Sequence, residues 1–197
     1  QGIKVDTQLL CLPEVDACQF RTSAEIVNRI QSLMLLTAYA EEAPPAVLDS
    51  LCLRVGPQQH FTLSEQQWLA NAKRTTADKQ ACLWRYESIS LLLWALGYRA
   101  ELGPSSEVAD IIGLSRLIQW QTYDELLAGA RLRPFNTLLD MADIYYRMAQ
   151  LAKHQPRALP VNINQSIVRE RYACLSWLLG EVEWDELFAF NNERAIR

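Results

Sequence analysis

Residues 84–97, WRYESISLLLWALG, are apolar on nearly every side when wound into a helix, yet the first turn carries Arg85 and Glu87. At 100° per residue the apolar side chains of this stretch surround the axis, the pattern of a helix enclosed by other helices. Glu87 projects between Leu91 and Trp94, and Arg85 projects beside Leu92 and Leu96. The helical pattern reaches back to about Thr76, where Asp78 in the first turn suits the helix dipole, and it stops at Gly97. The spacing therefore predicts one central helix over about 77–96, roughly 30 Å long at 1.5 Å per residue.

The stretch NQSIVRERYACLSWLLG poses the same problem near the end of the chain. Arg169 shares a direction with Ser176 and points to solvent. Glu170 projects beside Cys174 and Trp177, and Arg171 projects between Leu175 and Leu178. An unpaired buried charge is costly, about 3–5 kcal/mol when one partner of a buried pair is lost. Arg85 and Glu87 are therefore expected to meet Glu170 and Arg171 in a buried polar network between the two helices.

Helical punctuation continues along the rest of the chain. TSAE (22–25) is a capping box, SEQQ (64–67) reads as a second and TYDE (122–125) as a third. Pro45 opens a short helix that Gly56-Pro57 ends; PSSEVADII (104–112) reads as a further helix start, and Pro134 opens a helix to about Lys153. RVGPQQHFTL (54–63) is the one place where a short strand could hide. The expected architecture is all-α: one compact multi-helix bundle over residues 3–197, with Gln1-Gly2 read as the remnant of a cleavable tag.

The chain has 197 residues, of which 50% are hydrophobic and 21% charged, enough for a full core without staples. A net charge of −4 and scattered basic residues lack the footprint of a nucleic-acid binder. No run approaches the ~20 apolar residues of a membrane span. The five cysteines show no CxxC spacing and read as reduced thiols, so a cytoplasmic location is expected, the alternative being a natural leader that the tag replaced ahead of residue 1. His60 and His154 have no ligand-spaced companions, so neither a metal site nor a cofactor is expected. GxSxG, P-loop, GxGxxG and HExxH are all absent.

Asp140, Asp143, Arg147 and Gln150 share one arc of the Pro134 helix, opposite Leu138, Met141, Tyr145 and Met148. The plain reading is a wet face with an i,i+4 ion pair; a surface or site cluster that also takes in Trp184 and Asp185 is the functional one. DxxD at Asp140/Asp143 and ExxE at Glu183/Glu186 would suit a Mg²⁺-dependent phosphate-ester or nucleotide hydrolase, although no cradle for phosphate accompanies them. A small-molecule site lined by Trp84, Trp94 and Trp177 is a third reading. The reading adopted is a non-enzymatic accessory module that binds a protein partner, in a regulatory or toxin-neutralising role, with EVEWDELFAFNNE (181–193) as a candidate contact around Trp184 and Phe188.

Taken in order, RTSAEIVNR, QACLWRYESISLLLWALG, LRPFNTLLDMADIYYRM, RERYACLSWLLG and WDEL resemble the bacterial family described as domain of unknown function 4272. The resemblance runs from about Arg21 to Leu187. It implies that Arg85, Tyr86, Glu87, Asp140, Asp143, Arg147, Glu170, Arg171, Trp184 and Asp185 fall on characteristic family positions, and it implies no activity. This chain departs from the family pattern after Arg147, where MAQLA stands in place of an aromatic, and after Arg171, where YACLSW replaces a more basic run.

Overall fold

The computed structural model describes residues 18–55, 61–118 and 120–188. Helix α1 (Ser23–Ala40) begins where the Thr22 hydroxyl accepts the Glu25 amide and Glu25 reaches back to the Thr22 amide. From Ile26 onward nearly every residue of α1 is buried, so it is a core helix and not a surface one. Helices α2 (Pro45–Val55) and α3 (Leu63–Ala70) follow. The cap of α3 is Thr62 with Glu65, not Ser64 with Gln67, because Thr62 holds the extended backbone that a cap needs.

The expected continuous helix over 77–96 is two helices, α4 (Thr76–Leu83) and α5 (Arg85–Ala95). Trp84 keeps helical dihedrals, but the ladder tightens there to a bond from the Glu87 amide to the Trp84 carbonyl, three residues back. The pinch separates two packing tasks. Cys82 of α4 belongs to a small apolar cluster with Leu35, Leu36, Phe61 and Trp68, whereas α5 enters the main core. All eleven residues of α5 are buried, and it packs against both α1 and α9 (Gln165–Leu178).

The C-terminus of α5 is closed by a Schellman arrangement, with the Tyr98 amide on the Leu93 carbonyl and Gly97 at φ 79°. A Cβ at Gly97 would sit 2.8 Å from the Arg131 carbonyl, so both backbone shape and space require glycine. Arg133 completes the cap: its Nε donates to the Trp94 carbonyl and its Nη2 to those of Arg99 and Ala100, while its guanidinium lies 4.7 Å from the Trp94 ring centre.

Residues 104–110 are not helical, contrary to the helix start expected at Pro104; α6 (Ile111–Ile118) begins after Asp110, whose carboxylate accepts the Gly113 amide. Long-range bonds to the interior hold this segment out of a helix. Helices α7 (Tyr123–Gly129), α8 (Phe135–His154) and α10 (Trp184–Phe188) complete the bundle, with α8 packed along α9. The architecture is all-α and compact, and no strand occurs among the described residues. Gln1-Gly2, Cys11, His60 and the Phe188 side chain lie outside them, as do residues 56–60 of the 54–63 stretch. No described helix is long and apolar enough to cross a membrane.

Candidate functional site

Helix α5 presents Arg85 and Glu87 to α9, and α9 presents Glu170 and Arg171 to α5. The structure brings the four together as two crossed pairs. Arg85 Nη1 donates to both oxygens of Glu170 at 2.7 and 2.6 Å, and the Ser88 hydroxyl adds a third bond to that carboxylate. Arg171 Nε and Nη2 reach Glu87 Oε2 at 3.0 and 2.8 Å. Exposure falls to 2% at Glu87 and 1% at Arg171, so both pairs lie in the interior.

The second pair extends into the 103–110 segment. Glu87 Oε1 accepts the Ala109 amide at 2.6 Å, and Arg171 Nη1 donates to the Gly103 carbonyl and to the Tyr145 hydroxyl. Tyr145 Oη in turn lies 2.9 Å from the Ser105 hydroxyl, and the Asn164 amide donates to the Ser105 carbonyl. A loop that local sequence leaves undetermined is thus tied at three positions to α5, α8 and α9. A buried ion pair contributes little net stability, because desolvation offsets its attraction. What this pair supplies is position.

On one side the tied loop borders a shallow groove of about 420 Å³, lined by Trp94, Glu101, Leu102, Pro104, Met141 and Tyr145 among others. Farther along, Val108 (65% exposed), Ile111 and Ile112 (65%) stand in solvent. The sequence marks 104–112 only as a helix start, and neither the extended run to Asp110 nor the exposure of these apolar groups is legible from it.

A third buried pair joins Arg29 of α1 to Glu65 of α3 at 2.6 Å. Glu65 also accepts the Thr62 amide, so the acid of a capping box doubles as the partner of a buried cation. With the box assigned to Ser64 and Gln67, neither role of Glu65 is legible in the sequence. The Arg29 guanidinium lies 4.8 Å from the Trp184 ring centre, and Trp184 meets Trp177 edge to face. Trp184 is therefore packing, and Asp185 beside it accepts the Ser64 hydroxyl and amide, tying α10 to the start of α3. Burial works against the Asp185 charge, but the bonds from Ser64 and Thr62, with Arg29 nearby, together hold its carboxyl below the usual range.

The remaining candidates sit at the surface. Asp140 is exposed on α8, and Asp143 accepts Arg147 Nε at 2.7 Å in an i,i+4 pair. Glu183 is exposed and paired with Arg21 at 2.8 Å, and Glu186 is exposed. Among the described residues no three acids, histidines or cysteines are grouped so as to share a metal ion. Burial pushes the Cys82 thiol up to about 12, Arg85 offsetting this only in part, and burial raises Cys174 as well. Both thiols are held in the protonated, unreactive form at neutral pH.

Fold and site together define an all-α protein built around buried arginine–glutamate pairs that reach out to hold a surface loop. The chain belongs to the family described as Domain of unknown function (DUF4272), whose model matches residues 1–187. No curated protein and no solved structure matches it.

Proposed function

We propose that this protein acts by binding another protein, without chemistry of its own, and that the 100–112 loop is the contact surface. The observation that carries this reading is the tying of an exposed apolar loop to the deepest ion pair among the described residues. Val108 and Ile112 face water within one short segment, and the Glu87 bond to the amide of Ala109 fixes the backbone between them. A surface ordered in advance loses less entropy on association than a mobile one. The carboxylates best placed for acid–base work, Glu87 and Glu170, are each occupied by an arginine and by a second donor, so neither offers a free acid to a substrate.

The test pairs two exposed substitutions, Val108→Asp and Ile112→Asp, with affinity capture from cell lysate. The expected outcome is an unchanged melting temperature and helical circular dichroism, with loss of a partner that the wild-type chain captures reproducibly. Capture unaffected by the substitutions would remove the loop from the account. Magnesium-dependent nucleotide turnover abolished by Asp143→Asn would replace it with the carboxylate hydrolase.

A further inference from the structure

The loop carries a charge pattern as well as an apolar one. Glu101, Glu107 and Asp110 are exposed, and none of them joins an ion pair among the described residues. The flanking basic residue on the N-terminal side, Arg99, is turned away and donates to the Ser90 hydroxyl at 2.6 Å. On the C-terminal side the next basic residue is Arg116, a turn beyond Ile112 on α6. Between residues 99 and 116, then, one short segment carries three exposed carboxylates outside any ion pair together with exposed Val108, Ile111 and Ile112, and one of the acids, Glu101, also lines the groove with Trp94, Met141 and Tyr145.

We infer that the partner docks through a basic amphipathic segment, whose apolar side chains cover Val108, Ile112 and the groove while its lysines or arginines meet Glu101, Glu107 and Asp110. The inference rests on the protein-binding reading and names the chemistry of the partner. Apolar cover without cations would leave the carboxylates of this segment at a dehydrating rim without counter-charge, and cations without apolar cover would leave Val108 and Ile112 in water. A segment carrying both is the complement of this surface. The rings of Trp94 and Tyr145 already face Arg133 and Arg171, at 4.7 and 5.8 Å, so the groove suits an aliphatic or aromatic side chain better than a cation.

The experiment titrates the full chain with three labelled synthetic peptides of one helical design: apolar stripe with lysine flanks, the same stripe with glutamate flanks, and lysine flanks with the stripe replaced by serine. The expected result is binding of the first alone, weakened about tenfold or more as salt rises from about 0.05 to about 0.5 M. Glu101→Gln with Glu107→Gln, and separately Val108→Ser with Ile112→Ser, should each weaken it by about tenfold, whereas Glu41→Gln with Asp124→Asn, removing two exposed acids elsewhere, should not. Asp110 is left alone because it caps α6.

Equal binding of the lysine-flanked and glutamate-flanked peptides would overturn the basic partner while leaving a protein-binding loop intact. Binding of the stripe-free peptide, or equal loss in the Glu41/Asp124 variant, would show attraction to net charge alone and overturn the docking site. Absence of binding by any peptide would also overturn the inference; the protein-binding reading would then stand or fall on capture by the Val108→Asp and Ile112→Asp variants.

Discussion

At the scale of single residues, Glu87 concentrates the logic of the molecule. One carboxylate oxygen takes Arg171 and the other takes the amide of Ala109, so a single side chain connects helix packing to loop placement. Glu87→Ala should lower unfolding free energy by about 3–5 kcal/mol, because Arg171 is left buried without its counter-charge; denaturant titration of the two proteins measures it, and a loss under about 1 kcal/mol would mean that Arg171 finds water or another acid. The inward direction of these charges is legible in the sequence, since helical angle places Glu87 between Leu91 and Trp94. Their additional partners are not. Tyr145, Gly103 and Ala109 come from distant parts of the chain, and only tertiary geometry brings them to Arg171 and Glu87. Arg29 and Glu65 escape the sequence for another reason: Arg29 passes for an ordinary helix cation, and Glu65 falls inside the box that the sequence suggests for Ser64 and Gln67.

At the scale of elements, helix ends follow local chemistry and helix interruptions do not. The starts of α1, α4 and α7 are each set by a threonine and an acid three residues on, at Thr22/Glu25, Thr75/Asp78 and Thr122/Glu125. In each box the backbone and hydroxyl bonds from threonine hold the acid below its usual range. A folded-state pKa below the unfolded one means stabilisation that is present above the unfolded value, near 4, and is lost as pH falls through the folded value. Melting temperature should therefore decline as pH drops from about 5 toward 2, and the decline should be shallower when Thr22, Thr75 and Thr122 are changed to alanine. An identical slope in the variant would remove the hydroxyl bonds as its source, the amide bonds to the three acids surviving in alanine. Each lost cap also costs about 1 kcal/mol at neutral pH. The break at Trp84 and the extended segment 104–110 lie beyond such reading. Both arise where local helical preference yields to distant contacts: two separate apolar clusters in the first case, and bonds to Glu87, Tyr145 and Asn164 in the second.

At the scale of the whole molecule, α5 is enclosed by α1 and α9, and the smaller cluster around Trp68 shares α1 with the main core. We propose on that basis that the described residues unfold as one domain. Circular dichroism and tryptophan fluorescence should trace one coincident transition in denaturant, whereas two separated transitions would divide the Trp68 cluster from the rest. We propose that the Glu87–Arg171 pair places the 103–110 loop and does not stabilise the bundle. The most direct test is residue-resolved amide hydrogen exchange of the wild-type chain beside the double variant Glu87→Met with Arg171→Met, which replaces the ions by apolar groups of similar length. The expected result is that the Ala109 amide, protected in the wild type, exchanges at the rate of an exposed loop in the variant while α5 and α9 remain protected. Retained protection at Ala109 would mean that other contacts place the loop, and a uniform loss across α5, α9 and the loop would mean that the pair stabilises the bundle.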